Sequence, residues 1–454
     1  MSKIEVNTVA PQCGTTLTLG ESGDTVTLGT GASQSGFGRT GTVNWDTTKK
    51  TTGFTAVSGN GYFCDTAASG AFTLTLPASP SAGNIVGLKD YNGNFATANL
   101  TIGRNGSKIN GGDAADVVIK TDGAAIFLVY VDATQGWIAT QDDSSTFSGV
   151  NFVIGTGGTI TECGNDKIHT FTGPGTFTVC QISSTAADNL ISYMVVAGGG
   201  GSSQDRGGAG GAGGYRELKS PTTPYTASPL DGYPSAPNRI TVTATGYPIA
   251  VGGGGPASPS GSPGGNGSNS SFSTITATAG GGGSKSPSTG NPGGSGGGGD
   301  STSCGGAGNT PPTTPAQGSN GGSGSAMSPP VGNGGGGGAG GTGGNGTSGA
   351  GGAGGIGVGT GINPSSSVGD DGPSGSLRYF AGGGGGGHDG SSPGTGGYGG
   401  GGNGARGPYP GSSVAAEAGA TNTGGGGGGS NGGGPSQPGV AGGSGIVILR
   451  YKYK

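Results

Sequence analysis

Gly442-Gly443-Ser444-Gly445-Ile446-Val447-Ile448-Leu449-Arg450-Tyr451 is a glycine run that passes straight into an apolar strand. That junction decides the fold, because a disordered glycine tail has no use for a segment that needs a folded partner. Of the 119 glycines, 28 lie in residues 1–197 and 91 in the remaining 257. The region opens as it closes, with Ile191-Ser192-Tyr193-Met194-Val195-Val196-Ala197 running into Gly198–Gly201. The two apolar segments are expected to pair and bracket everything between them.

Inside the bracket, glycine clusters recur at 207–214, 252–255, 280–283, 293–299, 334–355, 382–387, 396–404, 424–429 and 442–445. Connectors rich in Pro, Ser, Thr and Tyr separate them. No strict Gly-X-Y repeat is present, which excludes a collagen triple helix. Composition alone is that of a low-complexity linker, and ordering glycine is costly. Against a linker, strand-like segments lead into several clusters: Ile240–Thr243 with Ile249–Val251, Phe272–Thr276, and Leu377–Phe380. The reading adopted is a bundle of polyproline-II-type (polyglycine II) helices. Such helices have about three residues per turn and no internal hydrogen bonds, so neighbours must satisfy the backbone. Close backbone approach then requires glycine and merely tolerates alanine.

The N-terminal half reads as all-β, with little or no α-helix. Residues 1–41 contain Thr15–Gly20 echoed by Asp24–Gly29, too small a unit to stand alone. Residues 42–147 form a β-domain of short strands, sandwich- or jelly-roll-like. Phe72, Leu74 and Leu76 share one face, Ala125–Val131 is apolar on both faces, and turns are marked at Asn60-Gly61, Asn92-Gly93, Asn105-Gly106 and Asp122-Gly123. Residues 148–197 form a further β unit leading into the glycine region, 198–454.

Net charge is −4 with 9% charged residues. The dense basic stripe of a nucleic-acid binder is missing, so nucleic acid is not expected as a partner. The start of the chain lacks the apolar segment of a signal peptide, and the apolar stretches fall short of a membrane helix, which points to synthesis in a cytoplasm. Five cysteines and two histidines show no zinc spacing, so no metal or cofactor is expected. Cys163 and Cys180 flank a possible hairpin; they either pair or remain buried thiols.

Gly61-Tyr62-Phe63, Phe72–Leu76 with Pro77–Gly83, Lys89-Asp90-Tyr91 and Thr101–Gly106 resemble a β-domain of tail fibres of marine tailed phages. Ile168–Val179 followed by Met194–Gly199, and the closing 442–451, are similar to the opening and end of phage glycine-rich domains. The resemblance covers nearly the whole chain beyond about residue 40. It implies a virion fibre or adhesin, homotrimeric, assembled in the host cytoplasm. Residues 1–41 would attach to a tail, baseplate or adaptor protein, residues 42–147 would trimerise, and the glycine-domain connectors would contact host polysaccharide or outer-membrane protein. A capsid-attached decoration fibre and a free surface- or ice-binding polyglycine II protein are the alternatives.

Catalysis is not expected. Glycoside hydrolysis needs two carboxylates across a cleft, and Asp142-Asp143 and Asp370-Asp371 read as solvated turns. No P-loop sequence occurs. His169 reads as a structural strand residue, and His388-Asp389 as a surface turn or a receptor contact. Recognition by connectors is the better case, since loops on rigid scaffolds carry binding and tyrosine gives contact area at low entropy cost. The candidates are Tyr225, Tyr233, Arg378, Tyr379, Arg406 and Tyr409. Tyr225, Tyr233 and Tyr409, close to prolines, are expected to be exposed. Tyr379 either binds or packs on the bundle, and Tyr215-Arg216 is read as structural.

Overall fold

A computed structural model describes residues 43–112, 116–140, 152–259, 261–325, 330–407, 412–432 and 437–453. The anchor proposed for residues 1–41, Asp142-Asp143 and Tyr409 lie outside the described residues. The chain divides into two compact units at about residue 142.

The first unit has nine strands: β1 (Asn44–Lys50), β2 (Phe54–Thr55), β3 (Asn60–Cys64), β4 (Phe72–Thr75), β5 (Ile85–Asp90), β6 (Leu100–Gly103), β7 (Val117–Ile119), β8 (Ala125–Asp132) and β9 (Gly136–Ala139). They form two sheets, β1-β3-β5-β8-β9 and β2-β4-β6-β7. Alternate strands enter alternate sheets, and β1-β3-β5 and β2-β4-β6 pair in parallel. The chain therefore coils through three rungs before the antiparallel β8-β9 hairpin ends the first sheet. Leu74, Leu76, Leu88, Ile102, Ile126 and Leu128 are fully buried.

Two expectations change here. Asn60-Gly61 begins a strand instead of a turn. Gly61 lies in register between Trp45 and Gly87, and a Cβ there would collide with the Trp45 ring. Ala125–Val131 is buried on one face only: Ile126 and Leu128 are inside, while Val131 is exposed. The turns at Asn92-Gly93, Asn105-Gly106 and Asp122-Gly123 are present, with Asn105 and Gly106 both at positive φ (50° and 85°). Asp90, from a segment that carried the family resemblance, is structural: its carboxylate accepts from the backbone of Gly93, Asn94, Phe95 and Gly123.

The second unit holds β10 (Ile154–Thr156), β11 (Thr159–Cys163), β12 (Asp166–Phe171), β13 (Gly175–Gln181), β14 (Ser192–Val196), β15 (Tyr215–Leu218), β16 (Gly246–Ala250), β17 (Ser270–Phe272), β18 (Ile275–Ala277), β19 (Val358–Thr360), β20 (Arg378–Phe380) and β21 (Ile446–Lys452). Two short 3-10 turns, Ala186–Asn189 and Ala236–Asn238, are the only helical pieces among the described residues. The bracketing strands pair: β21 lies between β12 and β14 in the sheet β11-β12-β21-β14-β15. Its alternation serves two cores. Val447, Leu449 and Tyr451 join Phe177, Tyr193 and Phe272 beneath the sheet β10-β13-β16-β17-β18. Ile446 and Ile448 join Met194, Tyr215 and Phe380 on the other face.

Phe272–Thr276, read above as one strand, is a hairpin of β17 and β18 turning at Ser273, which has φ 53°. Cys163 ends β11 and Cys180 lies in β13, in different sheets, and both are free thiols. Of the described cysteines only Cys64 is buried, and burial pushes its thiol up to about 12.

His169 is structural. It is fully buried, with Nδ1 2.7 Å from the Gly157 carbonyl and Nε2 2.9 Å from the Tyr451 hydroxyl. Burial lowers its pKa below the ordinary imidazole value, which is about 6.5. A depressed folded-state pKa favours folding of the neutral form, so this contribution is whole above about pH 6.5 and is lost as the pH falls below it. Denaturant melts between pH 7 and 5 should show falling stability, with a shallower slope in His169→Phe; an unchanged slope would assign the loss to other groups.

Between the sheets' strands, the glycine segments are ordered without forming strands. Residues 207–214 show the rule. The N–H groups of Gly208, Gly211 and Gly214 donate to Ser284, Gly281 and Thr278. Those of Ala209 and Ala212 donate to Gly334 and Gly337, and those of Gly210 and Gly213 to Gly427 and Gly424. Every third residue faces the same neighbour, which is the period of a polyproline-II-type helix. Carbonyls complete the set: Gly211 accepts from Gly200, Ala212 from Ser295 and Gly210 from Gly384. Six segments thus surround this one, as in a hexagonal array. Residues 197–203 are likewise bonded to segments around 211, 255, 265, 280, 427 and 443.

The flanks carry a second device. Asn266, Asn269, Asn320, Asn345 and Asn403 are exposed, and their side-chain oxygens accept from the backbone N–H of Gly282, Ala279, Gly308, Ser323 and Gly396 at 2.8–2.9 Å. Each amide supplies the carbonyl that a further lattice segment would otherwise provide. Asn345→Ala should therefore cost about 0.5–1.5 kcal/mol, the net worth of one hydrogen bond, while Asn345→Asp keeps the acceptor and most of that stability. Equal melting temperatures for both variants would show that the amide contributes nothing.

Candidate functional site

Successive lattice segments run in opposite directions, so the connectors sort to two ends. Residue 197 follows β14 and residue 214 precedes β15, placing that end of the lattice beside the sheets. Ala197 bonds Gly214, Gly213 bonds Gly424, and Ala339 bonds Ala381 there. At the far end, Gln204 bonds Ser258, Arg206 bonds Asn431, Asp389 bonds Val331, and His388 bonds Ala405.

Four of the recognition candidates sit at the sheet end. Tyr225 is folded inward instead of exposed: its hydroxyl reaches the Leu218 carbonyl at 3.4 Å, and its ring lies 5.2 Å from the Arg450 guanidinium. Burial raises its phenol pKa well above the ordinary value. Tyr233 is half-buried against the core, with Arg239 4.5 Å over its ring. Arg378 spends its guanidinium on its own connector, donating to the carbonyls of Val368 and Gly369 and pairing with Asp371. Tyr379 pairs with Asp370 across an isolated bridge, its ring 6.4 Å from that of Tyr398, which is exposed. Asp370 is also more than a solvated turn, since Oδ2 accepts from the backbone of Gly399 and Gly400 at 3.0 Å.

Arg406 stands apart from these four, at the far end, where it bridges both His388 and Val414. His388-Asp389 is not a surface turn: the residues are 3% and 9% exposed. The His388 Nδ1 accepts from the backbone of Gly390 at 3.1 Å, and Asp389 pairs with Arg206 at 3.0 Å while accepting from Gly432 at 2.9 Å. Lys285 pairs with Asp205 nearby. These contacts lock the far-end connectors to one another, and sequence reasoning missed Arg206, Asp205 and Lys285 because single charges in Ser/Gly surroundings carry no spacing signal.

Two buried acids hold the sheet end. Glu217 accepts from the Tyr215 hydroxyl (2.8 Å), the Ser228 N–H (2.9 Å) and the Thr360 hydroxyl (2.6 Å), and burial raises its pKa. Asp166 pairs with Arg450 at 2.7 Å, both side chains almost wholly buried. Among the described residues no group of His, Cys, Asp and Glu is placed to hold a metal ion, and no helix is long and apolar enough to cross a membrane.

An all-β chain whose amides and carbonyls find partners across side-chain-free segments, closed by paired bracketing strands, defines a glycine-lattice protein. Residues 170–452 match the glycine-rich domain family, and the chain belongs to that family. Comparison with curated proteins gives no match.

Proposed function

We propose that the chain is a structural virion protein, a phage tail fibre that binds the host cell surface through loops of its glycine-rich domain. The observation that carries this reading is the sorting of connectors: a rigid lattice gathers many short loops at one end, bonded to one another and away from the sheets. That arrangement supports reading the far-end loops as a recognition surface that works by reversible binding. The far-end loops, with Arg406 among them, replace the sheet-end tyrosines as the contacts. Residues 1–41 attach the fibre to its tail or adaptor, and the first unit holds three copies together, so that weak individual contacts combine through effective concentration.

The test uses antibody against residues 198–445 on purified particles. Gold label at tail-fibre tips, with adsorption blocked by the same antibody, is the expected result. Label over the capsid transfers the protein to a decoration role, and particles that carry no label reject a virion role altogether.

A further inference from the structure

A groove of about 330 Å³ opens at the far end of the lattice. Residues from 391–395, 403–406 and 414–417 wall it, and its side chains include Pro393, Thr395, Asn403, Arg406, Val414 and Glu417. The walls are held rigidly. Arg406 and Val414 exchange both backbone hydrogen bonds at 2.9 and 3.1 Å, Gly404 donates to Gly394, and Glu417 donates to Asn403. Asn403 then fixes the acid: its side-chain N–H donates to the Glu417 Oε2 at 2.7 Å, while its own oxygen is taken by Gly396. Arg406 is anchored by Nη2 donating to the Ser412 carbonyl at 2.9 Å, yet its Nε is buried with no partner.

We propose that this groove binds a neutral saccharide, one unit of a surface glycan; the assignment rests on the adhesin reading and names its ligand class. A positioned cation and a positioned anion share one small groove, so a polyanion meets Glu417 and a polycation meets Arg406. Sugar hydroxyls both donate and accept: one accepts from the Arg406 guanidinium, which lines the groove, and one donates to Glu417. Val414, half-exposed, and Pro393 offer apolar surface to the C–H face of a sugar ring. The volume lies at the small end of ligand pockets, about 300–1,000 Å³, which suits one or two sugar units.

The full chain is titrated by saturation-transfer NMR and calorimetry with neutral hexoses and their short oligomers, with uronic-acid oligomers, and with inorganic phosphate. Binding of a neutral saccharide is expected, weakened at least tenfold in Glu417→Ala. Thr395→Trp, which fills the groove without removing any of the bonds described, should do the same while leaving the melting temperature unchanged. Preference for the acidic ligands, no neutral binding at millimolar concentration, or full binding by both variants overturns the proposal. Particles carrying Thr395→Trp separate it from its premise. Normal adsorption alongside lost saccharide binding keeps the groove and removes its role in attachment. Normal adsorption by a wild-type protein that binds no saccharide removes the groove alone.

Discussion

Gly210→Ala is expected to destabilise the lattice strongly, whereas Gly253→Ala is expected to be neutral or slightly stabilising. Gly210 lies in the segment with six neighbours, donating to Gly427 and accepting from Gly384. A Cβ at that position would sit far inside van der Waals contact of the Gly200 carbonyl oxygen. The obstruction is backbone, which cannot rotate away as a side chain does, and moving it breaks the bond that the Gly427 N–H donates to that carbonyl as well. Overpacking typically costs about 1–3 kcal/mol, and this site belongs at the upper end because relief at one segment displaces the next. Gly253, on the flank, has open space where its Cβ would go. There the reduced entropy of the unfolded chain favours alanine by about 0.4–1 kcal/mol. Thermal melts of the two variants decide the matter: similar transitions would mean that the segments are not in contact. Ala209 and Ala212, fully buried in the same segment, show that the requirement is positional and not a general intolerance of methyl groups.

Asp166→Ala should destabilise the second unit by about 3–5 kcal/mol, the usual penalty for leaving one member of a buried pair uncompensated. Arg450 donates to Asp166 through Nε and to the carbonyls of Gly361 and Ile362 through Nη1, with Tyr225 stacked against it. One side chain thereby joins β12, β21, the connector after β19 and the connector after β15. Removing the acid leaves the guanidinium buried beside carbonyls that cannot neutralise it. The double variant Asp166→Leu/Arg450→Met should recover most of the loss, because replacing a buried pair with apolar groups is often neutral. Denaturant midpoints check both; a single variant as stable as the parent would mean that water reaches the pair.

Sequence reasoning reached the lattice through its ends. The apolar segments at 191–197 and 446–451 demanded partners, and the recurring glycine runs between them left backbone bonding as the available cohesion. A finer signal went unread. Triplets such as Gly351-Gly352-Ala353-Gly354-Gly355-Ile356 place the larger residue outward at every third position: Ala353 and Ile356 are exposed. Gly-Gly-Asn at 264–266, 343–345 and 401–403 marks flank segments for the same reason. Other features were hidden by distance. Tyr225 reads as an exposed connector residue until Arg450, far along the chain, is known to cover it. The coiling of β1 to β6 escaped notice because the turns of a parallel rung and those of a hairpin draw on the same residues. Which end a connector occupies depends on how many segments precede it, so one miscounted segment inverts the assignment for every loop that follows.

The placement of β21 between β12 and β14 has a consequence for biosynthesis. Both of its neighbours leave the ribosome long before it does: residue 196 precedes residue 446 by 250 positions. At about 5–20 residues per second, that is a wait of roughly 13–50 s during which the sheet's middle position stands vacant and two apolar faces stay unsealed. A polypeptide cut short anywhere in the lattice would never fill that gap. A fragment that lacks the closing strand therefore keeps both of those faces open to solvent, where the finished molecule does not.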